Sequence, residues 1–355
     1  MNEHKFPYKW TLKDAVFTKD KGKVFSCFAC GGGSTMGYKL AGFDVLGCNE
    51  IDPKMIEAYR INHNPKYSFL EPIQTFKLRD DLPRELYNLD ILDGSPPCSS
   101  FSMAGNREKD WGKEKVFREG QAEQVLDTLF FDFIDLAKKL QPKIVIAENV
   151  KGLLLGNARK YVSKIYEQFE IAGYILNHFL LNAENMGIPQ FRERVFFIAI
   201  REDLNKILPQ HNYLFESKPI IDMNFNEEKI FFEKIKSNVN DRPLKGKLLD
   251  LWNQRRMHDR DFMDISVRID GKKNYFSYNF IFDNESPNTI TGSDCAVLFS
   301  EPRFRNTQEL LLSGSWPDDY DFNGNKPEYL IGMSVPPVMT AQIATRIYEQ
   351  WLSKL

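Results

Sequence analysis

Residues 23–50 read KVFSCFACGGGSTMGYKLAGFDVLGCNE, and the order of signals in this stretch decides the fold. Lys23–Phe28 reads as a strand that runs into Gly31, Gly32 and Gly33. A helix-like stretch follows around Met36–Ala41, and Phe43–Asn49 looks like the next strand, ending in Glu50. Strand, glycine turn, helix, strand and a terminal acid form the first unit of folds that bind a nucleotide-like ligand at the carboxyl edge of a sheet. In such a unit glycine lets backbone approach the ligand, and the acid takes ribose hydroxyls. The glycines fall at 31, 32, 33 and 37, which does not fit the G-x-G-x-x-G of nicotinamide enzymes. A looser loop suits S-adenosylmethionine, which has no pyrophosphate to cradle. Taken alone, the stretch reads equally as a tight turn.

Outward from this unit the alternation continues. Pro53–Arg60 suits a helix with Asp52 as its cap and Pro53 in the first turn. Leu89–Asp93 is a short strand, followed by Gly94-Ser95-Pro96-Pro97-Cys98. Residues 99–120 are polar, charged and glycine-bearing, the composition of a long mobile loop. Gln121–Leu140 has apolar positions three and four apart and reads as a helix. Lys143–Ala147 is a buried strand ending in Glu148-Asn149, Ala158–Ala172 a helix, and Tyr174–Leu181 and Arg194–Ile200 further strands. Strands and helices alternating over about 200 residues point to a doubly wound, mostly parallel α/β sheet. After Arg201 the rhythm breaks, and the aromatic, Asn-rich residues 202–285 suit a second, smaller domain. Residues 1–22 read as an N-terminal arm.

The 355 residues make two domains, or one large one with an insertion. With 42% hydrophobic and 27% charged residues the chain can bury a core. No apolar run approaches the roughly 18 residues of a membrane span. The start, MNEHKFPYKW, lacks the apolar core of a secretory signal. Five cysteines, at 27, 30, 48, 98 and 295, are no disulfide framework in so long a chain, so a reducing cytoplasm is the expected setting. The net charge is −2, so a face that binds nucleic acid has to be locally basic. Residues 229–273, with twelve basic and seven acidic side chains, supply such a stretch.

Four short motifs carry chemistry. Pro96-Pro97-Cys98 follows a strand at the edge where ligands of open α/β sheets bind, and the prolines stiffen the approach to one thiol; otherwise Cys98 is a buried loop cysteine. Glu148-Asn149-Val150 also follows a buried strand. A carboxylate there can be partly desolvated and so protonate near neutral pH, or simply serve as a helix cap or ion-pair partner. Gln190-x-Arg192-x-Arg194 puts three side chains on one strand face. Two guanidiniums pointing one way suit phosphate or carboxylate, unless they are solvated charges of an edge strand. Cys27-x-x-Cys30 has no second cysteine pair, and His63 is isolated, so these cysteines read as small residues lining the loop, with no metal site.

The order and spacing of these motifs resemble the cytosine-C5 methyltransferase family. The series runs Phe28…Gly32-Gly33, Glu50, Pro96-Pro97-Cys98-Ser99-Ser100-Phe101-Ser102, Glu148-Asn149-Val150, Gln190-x-Arg192-x-Arg194. It continues with Ser286-Pro287-Asn288-Thr289-Ile290-Thr291, Arg303 through Glu309 to Trp316-Pro317, and Ile331-Gly332-Met333-Ser334-Val335-Pro336. The resemblance spans about 23–352 and leaves 202–285 unaligned, as the family's target-recognition region is. This sequence departs from the pattern at Cys30 for a glycine, Ser99 for Gln, Pro72-Ile73 for Asp-Ile, Asn306 and Gln308 in the ninth motif, and Met333 for Asn. None of these touches the cysteine, the glutamate or the arginines, so the resemblance implies an active enzyme with an altered cofactor-pocket rim.

The resemblance implies a Rossmann-like S-adenosylmethionine-dependent methyltransferase fold with four segments: an arm (1–22), a catalytic and cofactor domain (23–201), a target-recognition domain (202–325) and a returning C-terminal helix (326–355). It implies methyl transfer to C5 of a flipped-out cytosine in duplex DNA through a covalent adduct of Cys98 with C6. Glu148 would serve the ring's N3, Asn149 orient it, Arg194 reach O2 and Glu148, and Arg192 brace phosphate or the mobile loop. Phe28, Cys30, Gly31, Gly32, Gly33, Glu50 and Ile51 would hold S-adenosylmethionine. Ile73, Gly94, Pro96, Met333, Ser334 and Val335 would complete its pocket. DNA contacts fall to Ser99, Ser102, Arg107, Gln190, Arg255, Arg256, Thr289 and Thr291, with 99–119 as a lid. The implied setting is a prokaryotic cytosol, as a monomer beside a cognate restriction endonuclease and away from membrane. Rival readings are a tRNA cytosine-5 methyltransferase, against which the lack of a Cys-Phe-Thr tripeptide speaks, and an inactive DNA-binding homologue. A nicotinamide dehydrogenase ignores everything after Glu50.

Overall fold

The computed structural model describes residues 4–97, 114–115, 124–125, 128–213, 216–271 and 277–355. Apolar alternation in short runs builds β1 (Lys23–Cys27), β2 (Asp44–Glu50), β3 (Tyr67–Leu70), β4 (Ile91–Gly94), β5 (Ile144–Val150), β6 (Tyr174–Asn182) and β7 (Glu193–Arg201). They form one seven-stranded sheet in the order β3-β2-β1-β4-β5-β7-β6. The first five strands of that order are parallel, and β7 runs antiparallel to both its neighbours. The sheet is therefore mostly parallel and doubly wound, with a long hairpin at one edge. The strand order reverses between β1 and β4, and the crevice outside their carboxyl ends, Cys27 and Gly94, is where such sheets hold ligands.

Period-two alternation sends the two sets of strand side chains to opposite faces. On one face Phe25, Leu92, Val145, Ala147, Val195 and Phe197 meet Phe130 and Phe133 of α3 (Leu129–Leu140) and Ile165 and Phe169 of α4 (Arg159–Ile171). On the other, Val24, Ile91, Ile144, Ile146, Phe196 and Ile198 meet Tyr38 of α1 (Gly33–Leu40). That face is closed by Val338, Ile343 and Ile347 of a helix from the C-terminal end, Pro337–Gln350. Gly37 permits the α1 contact: a Cβ there would lie 2.3 Å from the Pro337 carbonyl oxygen.

The helix α2 (Pro53–His63) starts as the sequence predicts, with Asp52 accepting from the N–H groups of Lys54 at 2.8 Å and Met55 at 3.3 Å. The helix expected from Gln121 starts only at Leu129, and residues 124–125 instead pair antiparallel with 114–115. The apolar face that packs on the sheet, Leu129, Phe130, Phe133, Ile134 and Leu140, begins there.

Beyond β7 the chain is irregular and builds small cores of its own. Ile230, Phe232, Ile235, Ile281 and Leu298 form one, and Leu244, Phe262, Ile265, Phe280 and Val297 another. Within this segment a buried bidentate pair joins Arg303 Nη1 and Nη2 to Glu309 at 2.9 and 2.7 Å, and Arg303 Nη2 also donates to the Ser237 carbonyl at 2.8 Å. Asn306, one of the departures from the family pattern, caps the helix Thr307–Ser313 and completes a capping box with Glu309. The N-terminal arm is tied down as well, with Trp10 Nε1 donating to the Ser315 carbonyl at 2.9 Å. Among the described residues no helix is long and apolar enough to cross a membrane.

Candidate active site

The turn after β1 carries three left-handed residues, Phe28, Cys30 and Gly32, at φ of 53°, 47° and 84°. Glu50, at the end of β2, holds this turn in place. Its Oε2 accepts the N–H of Cys30 at 2.7 Å, and its Oε1 accepts those of Ile51 and Asp52 at 2.8 and 2.9 Å. Burial pushes the Glu50 carboxyl up, and the three N–H groups counter that only in part. The reason for the glycines differs from the expected one. A Cβ at Gly31 would meet Leu330 and Tyr320, at Gly32 the His63 ring at 2.2 Å, and at Gly33 the Val335 carbonyl oxygen at 2.4 Å. These glycines admit other parts of the chain, so close packing accounts for them without a ligand. The Gly31 carbonyl is turned inward, accepting from Tyr320 Oη at 2.6 Å, with His63 Nε2 3.2 Å away.

Cys30 sits where its thiol touches Met55, 3.7 Å between sulfurs, and burial with the Glu50 carboxylate pushes that thiol up to about 12. Cys27 is buried and pushed up as well. Among the described residues no group of three His, Cys, Asp or Glu side chains could hold a metal ion. Of the other residues expected around a cofactor, Phe28 is half-buried with its ring edge-on to Phe133, and Ile51 is half-buried. Gly94 is buried, and a Cβ there would strike the Phe133 ring at 2.6 Å. Ile73 needs correcting: its side chain is 2% exposed and packs in the core with Phe25 and Phe76, leaving no surface for a ligand. Met333 is half-exposed, Ser334 is buried, and Val335 packs against Gly33.

At the neighbouring strand ends, β4 and β5 run parallel with Gly94 opposite Ala147, so the chain after each leaves the same edge. Asn149 Nδ2 donates to the Pro96 carbonyl at 3.1 Å, and Asn149 Oδ1 accepts from the Val150 N–H. Asn149 thus fixes the segment that leads to Cys98. On the opposite face of β5, Glu148 meets Arg194: the register places Val150 opposite Arg194, and Arg194 Nε is 3.0 Å from Glu148 Oε1. These side chains are only 13% and 15% exposed. The carboxylate is therefore not an isolated desolvated group, because a guanidinium supplies its counter-charge. Burial lowers the Arg194 pKa, and Glu148 opposes that shift. Cys98, Ser99, Ser102 and Arg107 lie outside the described residues, as does the expected lid except for 114–115.

Two expectations, for Arg192 and Gln190, are corrected by partners far away in sequence. Arg192 is 2% exposed and donates to the carbonyls of Ile290, Gly332 and Ser334 at 3.0, 2.9 and 2.9 Å. It clasps chain segments and has no surface for phosphate. Gln190 is 1% exposed, donating to the Ser313 carbonyl and accepting from the Ile290 N–H, so it cannot reach DNA. Arg255 is half-buried; it lies over the Trp252 ring at 3.2 Å from its centroid, and its Nε and Nη1 donate to the carbonyls of Phe299 and Trp252. Arg256 and Thr291 are exposed, and Thr289 Oγ1 donates to the Phe191 carbonyl.

The sequence reading missed Asp93, a buried carboxylate in β4 that accepts from the hydroxyls of Ser26, Ser34 and Tyr38. The signal was available: a lone acid inside the strand ILDG has to find partners.

The sequence matches the family description "C-5 cytosine-specific DNA methylase" over residues 22–349. It is 29% identical over 337 residues to the type II methyltransferase M1.HphI of Haemophilus parahaemolyticus, covering 91% of this chain and 85% of that one. It is 30% identical over 319 residues to the type II methyltransferase M.Sau96I of Staphylococcus aureus, covering 85% and 69%. Among solved structures it resembles a DNA modification methyltransferase encoded within an E. coli prophage, with TM-score 0.62 and 20% identity over 92% of this chain and 99% of that one. It also resembles Spodoptera frugiperda DNMT2, with TM-score 0.62 and 16% identity over 92% and 99%. At these identities the two structural likenesses speak for the fold alone.

Proposed function

The chain belongs to the C-5 cytosine-specific DNA methylase family, and from that membership we propose that it methylates C5 of a flipped-out cytosine in a specific duplex DNA sequence, with Cys98 as covalent nucleophile. The observation that carries this reading is the link between the strand ends: Pro96, two residues before Cys98, is bonded to Asn149, the neighbour of Glu148, which Arg194 holds.

Cytosine C5 is a poor nucleophile. Addition of the Cys98 thiolate to C6 turns the ring into an enamine that is nucleophilic at C5. Glu148 holds or supplies a proton at N3, which keeps negative charge from building on the ring, and Arg194 orients Glu148 and reaches toward O2. Once C5 is methylated, loss of its proton and expulsion of Cys98 restore aromaticity. The base has to leave the helix for this, at a cost of a few kcal/mol.

The residues of the turn fit S-adenosylmethionine by their donor set. Among the described residues Glu50 Oε2 accepts one N–H, that of Cys30, which leaves it acceptor capacity for a ribose hydroxyl. When bound, this cofactor supplies an electrophilic methyl group. The irregular segment 202–325 reads the target sequence in this proposal, with Arg256 and Thr291 on its exposed surface. Binding carried by such basic stretches weakens steeply with salt. Two of the relatives are named type II methyltransferases, and we place this chain in the same role, protecting DNA from a cognate restriction endonuclease.

Incubation with labelled S-adenosylmethionine and either duplex DNA or tRNA tests the substrate, and label in DNA is expected. Duplex DNA containing 5-fluorocytosine is expected to form an irreversible adduct that Cys98→Ala abolishes while cofactor binding stays nearly unchanged. An adduct that survives that substitution removes Cys98 as nucleophile. Bisulfite sequencing of DNA from cells expressing the gene then reads product and target together, and resistance of that DNA to the endonuclease of a neighbouring reading frame tests protection.

A further inference from the structure

Asp93 stands one residue before the end of β4 and is 5% exposed. Its Oδ2 accepts from Ser26 Oγ of β1 at 2.7 Å and Ser34 Oγ of α1 at 2.8 Å, and its Oδ1 accepts from Tyr38 Oη of α1 at 3.1 Å. Ser26 precedes the 28–33 turn and Ser34 follows it, so the carboxylate is bonded on both sides of the loop assigned above to the cofactor. All three partners are neutral. The titratable groups that face it from the surrounding elements are Tyr38 of α1, Cys27 of β1, Tyr59 of α2 and Glu148 of β5. None of them is a cation, and among the described residues no Lys, Arg or His forms an ion pair with Asp93. Burial pushes its carboxyl up to about 6, and the Glu148 charge adds to that shift. A buried carboxylate without a counter-ion is costly, and three neutral hydroxyls offset that cost only in part.

We propose that Asp93 is the counter-charge for the cofactor's sulfonium, so that the site favours the charged methyl donor over its uncharged-sulfur product. This rests on the methyltransferase reading above. S-adenosylmethionine and S-adenosylhomocysteine share adenine, ribose, amino and carboxyl groups. They differ by one methyl group and one positive charge, so a fixed negative charge beneath the loop acts on the difference alone. Asp93 is then a specificity-determining residue that acts at a distance through the field.

The test is the binding of both molecules to the full chain, by calorimetry between pH 5 and 8, without DNA. Asp93→Asn keeps the shape and removes the charge. It is expected to weaken S-adenosylmethionine about tenfold, the order of a charge pair several ångströms apart inside a protein, and to change S-adenosylhomocysteine by less than about twofold. In the wild type the preference for the charged molecule should fall as the pH drops through 6, and in Asp93→Asn it should be flat. Ser34→Ala keeps the charge and removes one donor, so it should move that fall to higher pH. It also serves if Asp93→Asn does not fold. Equal weakening of both molecules, or a preference that ignores pH, overturns the proposal and leaves Asp93 a structural pin. Wild-type protein that binds neither molecule overturns the methyltransferase reading, and this proposal with it.

Discussion

Arg192 and Arg194 stand two positions apart on the approach to and start of β7, and their partners separate their roles. Arg192 satisfies three buried carbonyls of distant segments, while Arg194 faces Glu148 at the strand ends. Removing the first leaves buried acceptors without donors. Arg192→Met is therefore expected to cost about 3–5 kcal/mol and lower the melting temperature by several degrees in thermal unfolding. Arg194→Met strips the Glu148 carboxylate of its counter-charge, so it too should lower the melting temperature. At a temperature where the variant is folded, it should also slow single-turnover methyl transfer about a hundredfold. Cys30 gives a second test at this scale. A side chain at φ 47° costs about 1 kcal/mol, which glycine does not incur. Cys30→Ala keeps that cost and loses the sulfur contact with Met55, so it should melt below Cys30→Gly, the reverse of the usual order of alanine and glycine.

At the scale of elements, strand and helix types were legible because they depend on periodicity and caps within a few residues, as with Asp52 and α2. What stayed hidden was how closely two elements approach. Gly47 sits in β2 just past the register shift between Val24 and Phe25, and a Cβ there would lie 1.8 Å from the Tyr67 carbonyl oxygen of β3. Gly47→Ala is expected to separate β3 from the sheet edge, seen as loss of amide protection over Tyr67–Leu70 and a marked drop in thermal stability. A glycine inside a strand signals such an approach, but the partner that demands it lies on another strand. The late start of α3 has the same origin: its length was set by where an apolar face meets the sheet.

For the whole molecule, the contact between α2 and the 28–33 turn makes stability depend on pH through His63. Burial and the nearby Lys39 charge push this imidazole down to about 3 from an ordinary 6.5, and its Nε2 lies 3.2 Å from the Gly31 carbonyl oxygen. Above about pH 6.5 the ring is neutral in both folded and unfolded chains, and its contribution is fully present. As the pH falls from there toward 3, the unfolded chain binds a proton that the folded one refuses, and stability is lost. Urea unfolding at pH 7, 5.5 and 4.5 should show this fall, and His63→Gln, which can still donate to Gly31, should show a flatter one. Asp93 acts in the opposite sense over about pH 4–6, because its folded carboxyl is pushed up, so the difference between wild type and variant isolates His63.

The chain itself determined the class of fold and the order in which the chemistry-bearing groups reach the sheet's carboxyl edge. Alternation, caps and strand-end motifs are local consequences of backbone sterics and burial, and they can be read within a dozen residues. Only the tertiary structure decided which polar side chains are free for chemistry. Gln190 and Arg192 looked like a recognition face, yet their partners lie 98 to 142 residues further along. Gly31, Gly32 and Gly33 looked like a ligand's cradle, yet their Cβ directions are filled by His63, Tyr320 and Val335. A buried donor or acceptor has to be satisfied by whatever the fold brings to it, and that neighbour is set by three-dimensional packing.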